Sequence, residues 1–168
     1  MLLAMGWAIV KSSTTEHAGL ATRTDTDTSA FWDALDAASA AVSRADEVAY
    51  ERLRAFLDGC EAPDLDWQFR EQMNNHEGLL TMTSSRNHRG VEPTAVRVLR
   101  WLAENAPGSR GLVYVHDDED DRTRPVPDGP PRPFFDEFRV WRLRDGKVDE
   151  LDDPFLSPLG VRLHEYWG

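Results

Sequence analysis

Cysteine is almost missing from this chain. Cys60 is the single thiol in 168 residues, which excludes an internal disulfide framework and fits a reducing compartment, so the cytoplasm is the expected location. Cys60 itself reads as a small apolar residue just past a helix end. Long apolar runs are missing too. The opening MLLAMGWAIV is far short of the roughly 20 residues that span a bilayer, and it lacks the basic flank of a signal peptide. No membrane partner is therefore expected, and Met1 or Met5 can serve as the initiator. Basic residues are outnumbered: 19 Lys+Arg against 30 Asp+Glu leave a net charge of −11. A protein that grips a phosphate backbone needs a basic face, so nucleic acid is not an expected partner, whereas a basic protein is. Catalytic signatures are also lacking. There is no G-x-S-x-G, no P-loop, no glycine-rich dinucleotide turn and no paired-cysteine zinc pattern. The histidines at 17, 76, 88, 116 and 164 share no ligand spacing. No catalytic set emerges, no metal site is assigned and no cofactor is expected.

What is present suits one domain spanning 1–168, since a chain of this length buries roughly 70% of its unfolded surface without staples. The stretch Gly78–Asp121 is the most strongly punctuated. Leu79, Leu80 and Met82 read as a strand that runs into a polar tip at Asn87, His88, Arg89 and Gly90. Pro93 suits the first turn of a helix. Val91, Ala95, Val98, Leu99, Leu102, Ala103 and Ala106 then recur at three- and four-residue spacing, the mark of one helical face over 93–106. Pro107 and Gly108 stop the helix, Gly111–Val115 is a short apolar strand, and Asp117–Asp121 follows as five acids in a row.

Upstream, a strand begins at about Met5, with Trp7 expected in the core. Ser12–Thr28 is a polar loop. Phe31, Leu35, Ala38, Val42, Ala45, Ala49, Leu53, Phe56 and Leu57 mark a long amphipathic helix over 31–58, with room for a break near Ser43. Asp66–Asn74 alternates as a half-buried strand, and 75–78 link it to the next as a hairpin. Downstream, residues 122–133 hold five prolines in twelve positions. They are expected to form a loop or extended arm, because proline cannot donate to a central ladder. Phe138–Arg142 is another strand, Asp145-Gly146 a strong two-residue hairpin turn, and Lys147–Leu151 the returning strand. The order β-α-β-β-α-β-β-β, dominated by hairpins, predicts an α+β fold: a mostly antiparallel sheet of about six strands with two helices packed on one face.

Three groups are candidate sites. The run Asp117, Asp118, Glu119, Asp120 and Asp121 can be an anionic patch for a basic partner, a set of ligands for a divalent cation, or a solvated turn. Successive strand residues point to opposite faces, which counts against convergence on a metal. Asn87, His88 and Arg89 look like three letters of a nuclease motif but lack its further ligands; a loop hydrogen bond or a partner contact suits them better. Trp101 lies beside the apolar stripe of its helix and Trp141 on a strand; both are candidate partner contacts, tryptophan being common at interface hot spots, though core packing suits Trp141 better.

Several of these pieces occur together elsewhere. Gly6-Trp7, LLTMTSSRNHRG at 79–90, LRWLAENAPGSRGLVYVHDDED at 99–120, EFRVWRL at 137–143 and LDDPFLSP at 151–158, in that order, resemble the immunity protein 7 family of bacterial polymorphic toxin systems. The resemblance implies a small α+β protein, encoded beside a toxin gene, that binds and blocks a cognate toxin domain. The chain departs from the family in its long proline-rich segment and in having Leu159 where a cysteine is common. Three functions stay open on the residues alone: stoichiometric neutralisation of a toxin, such as a nuclease; a small metal-dependent hydrolase using 117–121; and a general acidic interaction module.

Overall fold

The computed structural model describes residues 1–13, 28–60, 63–73, 77–86, 92–126 and 129–153. In chain order the elements are β1 (Leu2–Val10), α1 (Thr28–Gly59), β2 (Leu65–Met73), β3 (Glu77–Arg86), α2 (Thr94–Asn105), β4 (Arg110–Asp117), β5 (Thr123–Val126), β6 (Gly129–Pro133), β7 (Phe138–Arg144) and β8 (Lys147–Asp152). Six strands form one sheet in the order β2-β3-β1-β4-β7-β8. All its pairings are antiparallel. With both helices on one face, the fold is α+β.

The core lies between the sheet and the helices. Leu2, Ala4, Ala8 and Val10 of β1, Leu80 and Met82 of β3, and Val113 and Val115 of β4 all turn to this side. They meet Ala95, Val96, Val98, Leu99 and Leu102 of α2, and Ala49, Tyr50, Leu53 and Leu57 of α1. Among the described residues, α1 joins the core through its second half. The Tyr50 ring meets Phe69 of β2 edge-on at 5.2 Å, and Phe56 stacks on Trp101 with ring centroids 5.0 Å apart. The first half of the helix is far more exposed, with Trp32 at 58%.

The spatial position of β1 depends on close backbone approach. A Cβ on Gly6 would stand 2.4 Å from the Leu112 carbonyl oxygen and 2.6 Å from a Val113 methyl, so a side chain there would push β1 off β4. At the β7–β8 turn, Asp145 and Gly146 both have positive φ, 52° and 68°, the geometry of the primed turns that fit hairpin twist.

Four elements differ from the sequence reading in their bounds or order. The first strand starts at Leu2, earlier than Met5. The long helix runs unbroken past Ser43. β3 begins at Glu77, inside the expected link, and extends to Arg86. The proline-rich segment is more ordered than a loop: β5 and β6 pair with each other as a separate two-stranded ladder. Proline is compatible with that because a two-stranded ladder is all edge, and each strand needs N–H donors on one side only.

Candidate partner-binding surfaces

The five-acid run does not behave as one patch. It sits where β4 leaves the sheet, and the turn there uses its own carboxylates. Asp117 is buried, and its Oδ1 accepts the Glu119 N–H at 3.1 Å. Asp120 is 3% exposed. It holds Arg122 through Nε at 2.9 Å and Nη2 at 2.6 Å, and its own N–H donates to the Asp117 carbonyl at 3.1 Å. Asp118, Glu119 and Asp121 are exposed. The Met1 ammonium pairs with Asp118, and that hydrogen bond keeps the Asp118 carboxyl below the usual aspartate range. The run is therefore not uniformly solvent-facing. Two acids are structural, because a tight strand exit leaves backbone N–H groups and a guanidinium to satisfy.

Behind this turn lies a charge chain on the helix side of the sheet. Arg122 donates to Glu150 at 3.0 Å, and Arg139 donates to the same carboxylate at 3.1 Å. Arg139 also pairs with Asp152. The two guanidinium groups lie over the ring of Phe134, at 5.0 and 4.3 Å from its centroid. Burial pushes the Glu150 carboxyl up, but hydrogen bonds from Arg122 and Arg139 outweigh it and hold it low. Arg122, gripped by Asp120 and then Glu150, is shifted well above the ordinary arginine value. The chain fixes the β5–β6 ladder to the edge of the main sheet.

The tryptophan candidates are both half-buried. Trp101 is capped by Phe56, and Trp141 lies under the Arg100 guanidinium at 5.4 Å. Asn87, His88 and Arg89 lie outside the described residues. Among the described residues no group of three or more His, Cys, Asp or Glu is arranged to hold a metal ion. No described helix is long and apolar enough to cross a membrane.

Sequence reasoning placed Trp7 in the core, and the structure places it on the opposite face, 40% exposed, beside Met5 at 44%. Every position of Leu2–Val10 except Gly6 is apolar, so alternation could not say which parity faces the helices. The outward parity carries Met5 and Trp7, opposite Tyr114 and Leu112 on β4 and Thr83 and Thr81 on β3. A trough of about 540 Å³ runs over this face, lined by Met5, Trp7, Asp66, Thr83 and Tyr114 among others. Trp7 also borders a second cleft of about 710 Å³, whose lining includes Lys11, Arg110, Arg142 and Arg144.

A family model described as Immunity protein 7 matches residues 1–165. The chain belongs to that family. Its members are immunity proteins of polymorphic toxin systems, and membership makes a toxin protein the partner to look for. No curated protein and no solved structure matches the chain.

Proposed function

We propose that this member of the immunity protein 7 family is a single domain that acts in the cytoplasm. It neutralises its toxin by stoichiometric binding, with no catalysis and no cofactor of its own. The observation that carries this reading is family membership over nearly the whole chain. The charge pattern supports a basic partner, and a nuclease is the natural instance, because an enzyme that attacks nucleic acid must present basic surface to phosphates. Asp118, Glu119 and Asp121 are exposed at one end of the sheet in a chain of net charge −11. They can attract such a surface. The test is a titration of toxin activity with purified protein, using the polypeptide encoded immediately upstream. Stoichiometric binding gives activity that falls linearly to zero at one equivalent. Loss of activity at a small fraction of an equivalent, with turnover, would reject the reading in favour of an enzyme.

A further inference from the structure

We infer that the outer face of the six-stranded sheet, opposite the two helices, is the surface on which the toxin domain docks, with Met5 and Trp7 as its anchor. The inference rests on the reading of this chain as a toxin binder and adds the place.

Six large apolar side chains are exposed among the described residues, and Met5 and Trp7 are the two that belong to strands. They occupy β1, one of the two central strands of the sheet. An exposed tryptophan and methionine on an edge strand would be unremarkable; at the middle of a sheet face they form the centre of a patch. Tyr114 stands directly across from Met5 and extends the apolar surface towards Phe138, whose ring it meets edge-on at 6.4 Å. The β3 side is polar, with exposed Thr81 and Thr83 opposite Trp7 and Met5. An apolar, aromatic centre with a polar border is the anatomy of a protein interface, and tryptophan is the residue most often found at its energetic centre.

Charge says what kind of protein fits. Just past the end of β4, beyond the outward Tyr114 and His116, stand exposed Asp118 and Glu119. The whole protein carries −11, so its field favours a basic partner. At the opposite end Arg110, Arg142 and Arg144 line the larger cleft, each with a carboxylate partner in Glu77, Asp149 or Asp145. The occupant is therefore a toxin domain that seats an apolar projection in the Met5–Trp7–Tyr114 trough and sets basic side chains against Asp118 and Glu119.

The experiment measures binding of the intact polypeptide encoded immediately upstream to the full chain and to four variants. Trp7→Ala and Met5→Ala are each expected to weaken binding about 30-fold, the size of an interface hot spot. Thr83→Arg, which blocks the trough from an exposed position without touching the core, is expected to do the same. Val48→Ser, an exposed change on α1, should leave binding within about twofold. Melting curves of all four establish that they fold; if the alanine variants do not, Thr83→Arg decides alone. Binding by the outer-face variants within about threefold of the parent overturns the inference while leaving the toxin-binding reading intact. No binding by the parent removes that reading, and the inference with it. If sedimentation shows a dimer that Trp7→Ala converts to monomer with toxin binding unchanged, the face belongs to a second copy of the chain and the inference is wrong.

Discussion

Arg86 at the end of β3 clasps Asp64 with two parallel hydrogen bonds, Nε to Oδ2 at 2.7 Å and Nη2 to Oδ1 at 3.0 Å. The same Nη2 donates to the Thr94 hydroxyl at 2.9 Å, so one guanidinium ties the approach to β2, the exit of β3 and the first turn of α2. Hydrogen bonding to Arg86 holds the Asp64 carboxyl below its ordinary value of 3.8. A depressed carboxyl stabilises the fold above its unfolded value, and the stabilisation is lost as pH falls through the folded one. Asp64→Asn should therefore cost about 1.5–3 kcal/mol near neutral pH, the range for hydrogen bonds to charged groups. The gap from the parent should shrink below about pH 3.8. Urea unfolding at both pH values checks it; a gap of equal size at the two would mean that the ion pair contributes nothing.

The buried face of α2 supports a second prediction. Leu99 and Leu102 are 0% exposed and sit in the central core cluster. Truncating either to alanine opens a cavity and should cost roughly 2–5 kcal/mol. Denaturant titration would show it. A loss under about 0.5 kcal/mol is the range of ordinary surface changes and would mean the helix packs by another face.

These two regions show how much could be read before the fold was known. The period of α2, the Asp145-Gly146 turn and the β7–β8 hairpin are local, and each was legible because neighbouring residues determine it. The antiparallel α+β layout followed from counting hairpins. The sheet order did not: β1 pairs with β3 and β4, partners about 70 to 115 positions away in sequence, and nothing within Leu2–Val10 names them. Gly6-Trp7 was recognisable as a motif without its reason being visible. Gly6 is small because β4 lies against it, and Trp7 is large on the face away from the helices. The acidic run was conspicuous, but a string of like letters conceals that Asp117 and Asp120 face inward and Asp118 outward. That division is set by where the strand ends and by Arg122, which the turn brings back onto Asp120.

Metal removal supplies the third prediction. No group of described residues is arranged as a metal site, so thermal melting with and without EDTA should give midpoints within about 2 °C. A fall of about 5 °C or more, roughly 1–2.5 kcal/mol for a domain of this size, would revive the hydrolase alternative. Titration with Mg²⁺ and Ca²⁺ would then be the next measurement.

The last prediction separates the two kinds of acid at the end of β4. Asp118, Glu119 and Asp121 are exposed, and exposed ion pairs contribute only about 0–1 kcal/mol each. Their field is screened beyond roughly 8 Å at physiological salt. Such charges speed encounter with an oppositely charged partner more than they slow its departure. The triple change Asp118→Asn, Glu119→Gln and Asp121→Asn should therefore leave the melting midpoint nearly unchanged, slow association with the toxin and flatten the salt dependence of that rate. Dissociation should move little, because the apolar contacts remain. Asp120→Asn should behave differently. It weakens the grip on Arg122, the residue that joins the turn to Glu150, and should cost about 1–3 kcal/mol of stability. Stopped-flow association at low and high salt, beside thermal melts, distinguishes the two. If the triple variant associates as fast as the parent at low salt, the exposed acids are only a solvated turn and the toxin is captured without electrostatic steering from this end of the sheet.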